Sequence, residues 1–238
     1  SDVTFFTIVM SLYVMTYYIR AVPAVPTTPK GRRTWQQLLE AARAVFARDG
    51  YVNARMADIA EEAGLSMGAL YRYFENKESV FEHLVTDIHE ELFTSSRSSD
   101  HHFSTEPFAA LREANLGYLR HYFEHRDVMR TLVEAAAVDP RFREIWWKMR
   151  TRHSDRFTEA VRDHFGLTTL DGIDTSLAAD AMTCMVEQVA YVWFGHEAIH
   201  TRKVDLEEAA EVTTRAWFRL FFAPKDWDDA AVLNPAAP

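Results

Sequence analysis

Cysteine is nearly absent from this chain: Cys184 is the single one in 238 residues. One thiol closes no internal disulfide, which fits a reducing, cytoplasmic setting. With no Cys-x-x-Cys pair, cysteine-built zinc and redox centres are excluded as well. Cys184 stands in an apolar run and is expected to be a small buried hydrophobe. Glycine and proline number only eight each. Internal repeats are lacking, and so is the period-two alternation of half-buried strands, so the expected fold is all-α. Positive charge is not in excess either, since the formal net charge is −9. That is the wrong sign for whole-molecule attraction to nucleic acid, so any such binding needs a local basic patch. What the chain does have is apolar substance, 48% hydrophobic and 13% aromatic. This suffices for the core of one large domain or two modest ones.

The most informative stretch is ARMADIAEEAGLSMGALYRYFENKESVFE, residues 54–82. Ile59, Ala60 and Ala63 have the spacing of a short amphipathic helix. Asn53 is a candidate cap for it. Gly64 supplies the left-handed residue of a tight turn. Ser66 can then cap a second short helix, Met67 to Phe74. Two short helices joined by a glycine turn make a helix-turn-helix, whose second helix enters the DNA major groove. At about 100° per residue, Leu70 and Phe74 share the inward side and Arg72 lies almost opposite, flanked by Gly68 and Ala69. An outward Arg72 can grip guanine O6 and N7, and the Ala69 methyl can meet a thymine methyl. Met67 begins the same helix and joins the expected contact set. Tyr71 and Tyr73 on the edges suit phosphates, which set register without reading sequence. Asn76 caps a further helix, and Lys77 in its first turn is a candidate phosphate ligand.

Ile59-Ala60, Ala63-Gly64-Leu65-Ser66, Gly68, Leu70-Tyr71, Tyr73-Phe74 and Asn76-Lys77-Glu78 resemble the TetR family of bacterial regulators. The resemblance covers about 30 residues. It departs at Ala54 and Arg55, where family members usually carry Thr or Ser, and Arg55 can replace a hydroxyl–phosphate contact with a charged one. The family implies an effector pocket in the carboxy-terminal half and a homodimer made by the last two helices.

Residues 30–95 hold more carboxylates than cations. Lys30, Arg32, Arg33, Arg55, Arg72 and Lys77 are nevertheless expected to gather on the DNA side. Lys30, Arg32 and Arg33 are placed ahead of the first helix, as an arm toward a phosphate or the minor groove. The expected division is an apolar then proline-rich extension (1–29), a helix-turn-helix domain (30–78), an effector and dimerisation domain (79–225) and a tail (226–238).

Within the extension, Val3 to Ile19 is free of charge. It is short for a bilayer span and dotted with hydroxyls. Three readings stand: a start that is not native, a helix packed on its own or a partner subunit, or a membrane anchor.

Further on, helices are expected over Pro107–His125, Asp127–Val138, Asp139-Pro140 to Phe165, Thr175–Phe194 and Asp205–Phe222. Leu206, Ala209, Ala210, Thr213, Ala216, Trp217, Leu220 and Phe221 form a stripe on the last one, suited to dimerisation. Tyr118, Tyr122, Trp146, Met149, His153, Met182 and Met185 are the candidate lining of a largely apolar effector pocket. His121, Arg150 and His153 are candidate orienting groups.

A competing reading is enzymatic. His196-Glu197-Ala198-Ile199-His200 is HExxH, the pair of helical imidazoles and carboxylate of zinc hydrolases. The glycine and histidine that follow in the longer protease signature are missing. His121 and His125, also four apart, are a coincidence or part of a metal sensor. No catalytic residue, metal or cofactor is expected, and the sequence reading is a DNA-binding repressor released by a small effector. A corepressor-dependent or activating regulator of the same fold is the variant reading.

Overall fold

Thr28 opens the first helix. Its Oγ1 accepts a hydrogen bond from the Gly31 N–H at 3.1 Å, and Pro29 sits in the first turn, where a missing N–H costs nothing. The computed structural model describes residues 25–195 and 203–222. Among them are nine α-helices, which fall into two compact units, residues 1–88 with 127–142 and residues 89–126 with 143–238.

In the first unit, α1 (Pro29–Asn53) buries Trp35, Leu38, Leu39, Ala42, Val45 and Phe46 along one face. The helix breaks at Gly50, which takes φ +74°. The Glu134 carboxylate then accepts from the N–H groups of Tyr51 and Val52, at 3.0 and 3.2 Å, and satisfies donors that the break exposes. The short helices α2 (Met56–Glu62) and α3 (Met67–Leu70) follow, with Gly64 at φ +63° between them. Then comes α4 (Lys77–Ser95). Asn76 caps α4 reciprocally: its Oδ1 accepts from the Ser79 N–H at 2.8 Å, and its own N–H donates to Ser79 Oγ.

The same unit takes in α6 (Arg126–Val138) from Asp127 onward and the start of α7 (Pro140–Phe165). The amino-terminal compact unit therefore runs to Ile88 and takes in most of α6. The reason is long-range. Arg43 grips Asp127 through two bonds of 2.8 and 2.9 Å. Phe46, Tyr51, Phe81 and Phe142 form one ring cluster with centroids 4.7–6.4 Å apart.

The second unit holds the end of α4, α5 (Pro107–Glu124), most of α7, α8 (Thr175–Ala190) with a π-helical turn to Gly195, and α9 (Leu206–Phe222). Asp205 Oδ1 caps α9 by accepting from the Glu208 N–H at 2.7 Å. Between α7 and α8 stands a small antiparallel pairing, β1 (Thr169–Leu170) with β2 (Ile173–Asp174). Asp171 and Gly172 turn it with positive φ, as the Asp-Gly pair of a tight hairpin favours.

Helix α9 lies along α5. Arg112 of α5 reaches Glu207 and Glu211, and Asn115 donates to Thr214 Oγ1 at 3.0 Å. This packing corrects the dimer stripe: Ala209, Ala210, Thr213, Trp217 and Phe221 are all buried within their own unit, where Phe157 takes Trp217 and Phe221 at 4.2 and 4.8 Å. Gly117 meets the end of α4 so closely that a Cβ there would stand 1.9 Å from the Ser95 carbonyl oxygen. Cys184 is half-buried rather than buried.

The charge-free segment Val3–Ile19, the HExxH motif at 196–200 and the tail 226–238 lie outside the described residues. No described helix is long and apolar enough to cross a membrane.

Candidate nucleic-acid interface

The reading helix is built from its two ends. Ser66 Oγ accepts from the Ala69 N–H at 3.2 Å, the cap expected of it. Regular α-helix stops at Leu70, shorter than expected. A helical turn still follows, since the Tyr73 and Phe74 N–H groups both donate to the Leu70 carbonyl, at 2.9 and 3.0 Å.

Exposure divides the segment into two arcs. Met67, Gly68, Tyr71 and Arg72 face out, whereas Ala69, Leu70 and Phe74 face in and Tyr73 is half-buried. Spacings of one, four and five residues make the outward set one continuous helical face. Two expectations change here. Ala69 is buried, so its methyl does not present itself to a base. Tyr73 leans into the domain, with its ring 6.1 Å from Trp35. The cause is Trp35, which stacks on Phe74 at 4.4 Å and widens the inward arc beyond the Leu70–Phe74 line.

That contact also brings the first turns of α1 beside the end of the reading helix. Lys30, Arg32 and Arg33, in the first turn of α1, are exposed. They belong to the helix itself rather than to a preceding arm, because Thr28 and Pro29 start it early. Arg55 is exposed at the N-cap position of α2, whose cap lacks a side-chain bond. Asn53 does not supply one: its Nδ2 donates to the Asp49 carbonyl. Arg43 and Arg48 of the same unit are neutralised by Asp127, Asp49 and Glu62. Lys30, Arg32, Arg33, Arg55 and Arg72 have no such carboxylate among the described residues.

Lys77 is also corrected. Its ammonium donates to the carbonyls of Tyr51, Val52 and Ala54 at 2.8, 3.1 and 3.1 Å, and lies over the Tyr51 ring. An ammonium has three donors, and all three are engaged. Lys77 ties the end of α1 to the start of α4 and leaves nothing for a phosphate.

Residues 38–84 match the family model of the bacterial regulatory proteins of the tetR family. Residues 38–84 thus resemble that family's amino-terminal domain. The transcriptional regulator TtgR of Pseudomonas putida is 32% identical over 87 residues, which are 37% of this chain and 41% of that protein. The chain thus spans about two fifths of the length of the curated relatives it matches. Among solved structures, the TetR family regulator PfmR of Thermus thermophilus has a TM-score of 0.59 at 21% identity, over 77% of this chain and 96% of that one. A TetR-like regulator from Rhodococcus sp. RHA1 reaches 0.62 at 22% identity, over 78% and 94%. These structures share the fold.

The second unit of the chain contains a cavity of about 570 Å³. Of the expected lining, Tyr118 and His153 are there, whereas Tyr122, Trp146, Met149, Met182 and Met185 are not. Tyr122 and Met149 are buried, and Trp146 lies under the Arg150 guanidinium at 4.6 Å. Phe103, Asn115, Phe157, Thr183 and Trp217 contribute instead, with Arg97 and Arg156.

Arg156 is fixed by the carbonyls of Phe93 and Ser96 and by Ser96 Oγ; burial pulls its pKa down to about 10, with Arg97 and Arg152 adding to the effect. Arg150, expected to orient a ligand, is paired with Glu187. Burial pushes the Glu187 carboxyl up, and Arg150 opposes that. Burial also pushes the Tyr118 phenol well above its ordinary value.

His153 is the clearest polar group of the cavity wall. Its Nδ1 lies 2.9 Å from the Met149 carbonyl, which assigns the proton to Nδ1. Nε2 is then a buried acceptor without a hydrogen-bond partner among the described residues. Burial holds the His153 pKa down to about 4, although the Met149 carbonyl favours the charged form.

His89, with its ring 6.0 Å away, is likewise lowered to about 4, chiefly by burial. Both folded values lie below the ordinary 6.5, so the unfolded chain takes up protons first. The stability they confer is full above about pH 6.5 and lost as pH falls toward about 4. Urea midpoints measured from about pH 7.5 to about 4.5 should fall across that window, and His153→Gln should flatten the slope. An unchanged slope would remove His153 from this role.

Proposed function

We propose that this chain is a sequence-specific, homodimeric, DNA-binding transcriptional repressor of the TetR family, released from a near-palindromic operator by a small, largely apolar effector. The observation that carries the reading is the outward face of the helix-turn-helix: Met67, Gly68, Tyr71 and Arg72 exposed on a segment whose other face is core. Arg72 reads a guanine edge, Gly68 lets the helix approach the bases, and Tyr71 meets phosphate. Arg55 and the first-turn cations Lys30, Arg32 and Arg33 add phosphate contacts. They supply the local positive charge that the acidic whole lacks.

Helices α8 and α9 are the proposed dimer surface. Their apolar residues that face solvent are Leu177, 63% exposed, Val212, 57%, and Leu220, 44%. Two copies so joined would set two reading helices about 34–36 Å apart, in successive major grooves. The cavity of the second unit is the proposed effector site, with the His153 Nε2 acceptor favouring a ligand that carries a hydroxyl or N–H on an apolar body. A coupling of about 1–3 kcal/mol between the two sites would weaken DNA binding roughly 5- to 150-fold.

Selection of random duplex DNA by the purified protein at two salt concentrations tests the reading. A near-palindrome with steep salt dependence is expected. Tyr71→Ala should weaken all sequences alike, and Arg72→Ala should relax one base position per half-site at a cost of about 1–3 kcal/mol. An Arg72→Ala protein that selects the same site would refute the assignment of the reading face.

A further inference from the structure

At the last turn of α5, His121 and His125 stand four residues apart with ring centroids separated by 4.4 Å, so both imidazoles occupy one helical face. Glu91 of α4 reaches between them. One of its carboxylate oxygens, Oε2, is 3.8 Å from His121 Nε2 and 3.9 Å from His125 Nε2. One ligand atom from each of the three residues lies within 4.8 Å of the others. All three belong to the second unit, and none lines its cavity.

We propose that Glu91, His121 and His125 form a binding site for a divalent transition-metal ion, zinc above all. In a tetrahedral site with bonds of about 2.0–2.2 Å, ligand atoms are roughly 3.3–3.5 Å apart. The two carboxylate–imidazole separations therefore need to contract by about half an ångström, and no separation in the set by more than about one and a half. Glu91 has that freedom, because its side chain is 64% exposed, whereas His121 is buried and already in place.

Two imidazoles with one carboxylate select zinc and its transition-metal neighbours over magnesium or calcium, which favour oxygen alone. The position is favourable for a cation, since the last carbonyls of α5 carry the negative end of the helix dipole. Arg126, the nearest cation in sequence, is turned away to the Phe123 carbonyl and ring. A bound ion would fasten the last turns of α4 to the end of α5. Three protein ligands leave a fourth position for water.

The test uses the full chain without a histidine tag, stripped by chelator and titrated with zinc chloride in a calorimeter. Cobalt absorption serves as a second readout of tetrahedral coordination. One ion per chain is expected. Glu91→Gln and His125→Gln should each weaken binding at least about tenfold, with helicity by circular dichroism unchanged. The double variant His196→Gln/His200→Gln should bind as the parent does.

No binding by the parent, or parent-like affinity in Glu91→Gln and His125→Gln, would overturn the proposal. So would loss of zinc in His196→Gln/His200→Gln alone, which would assign the ion to the HExxH segment. Zinc binding is measured without DNA, so its failure leaves the repressor reading untouched.

Discussion

Trp35→Ala should unfold the reading head and abolish DNA binding at every sequence. Trp35 is 2% exposed and organises its surroundings from both faces. Phe74 stacks on it at 4.4 Å, the His83 ring meets it edge-on at 4.6 Å, and Tyr73 reaches it at 6.1 Å. Truncating a buried tryptophan costs about 3–5 kcal/mol, part of it for the cavity left behind. A domain of this kind has only about 5–15 kcal/mol in total. Phe74 and Tyr73, released from Trp35, would no longer fix which arc of α3 faces outward. Urea unfolding together with binding to the selected operator measures both effects. This variant differs from Arg72→Ala, which should keep the parental stability and alter only the preferred site. A Trp35→Ala protein within about 1 kcal/mol of the parent would show that this ring does not organise the head.

The second large effect is expected at the Arg150–Glu187 pair. Arg150 Nε donates to Glu187 Oε2 at 2.8 Å, Nη2 donates to the same oxygen, and the two side chains are only 15% and 17% exposed. Arg150→Leu leaves a carboxylate in a place that already disfavours its charge, at a cost of about 3 kcal/mol, the lower end for a buried pair. Removing both charges should recover much of that loss, because two apolar residues have no desolvation to offset. Chemical denaturation of Arg150→Leu, Glu187→Leu and the double variant closes the cycle. Strict additivity of the two single losses would mean that the residues do not act as a pair.

Legibility in the sequence followed the range of the interaction. The helix-turn-helix could be read because its determinants are local: Gly64 for the turn, Ser66 and Asn76 as caps, Ile59 and Leu70 at helical spacing. The outward Tyr71–Arg72 pair followed from the same periodicity. The inward turn of Ala69 and Tyr73 did not, because it depends on Trp35, far back in α1. Lys77 looked like a phosphate ligand since nothing nearby accepts from it. The three carbonyls that do accept lie 23 to 26 residues earlier, gathered by the break at Gly50.

Asp127 and Glu134 look like ordinary surface acids. They assign α6 to the head only through partners more than eighty residues away. The cavity was the least legible part. Its aromatic wall joins Phe157 to Trp217, a residue whose stripe looked equally suited to a partner subunit.

Gly117 has a mechanical consequence. Where it meets Ser95 the contact is backbone on backbone, with no side chain that could change rotamer to absorb a displacement. A shift of the last turn of α4 must therefore pass to α5 as a rigid movement, as through a pinned joint.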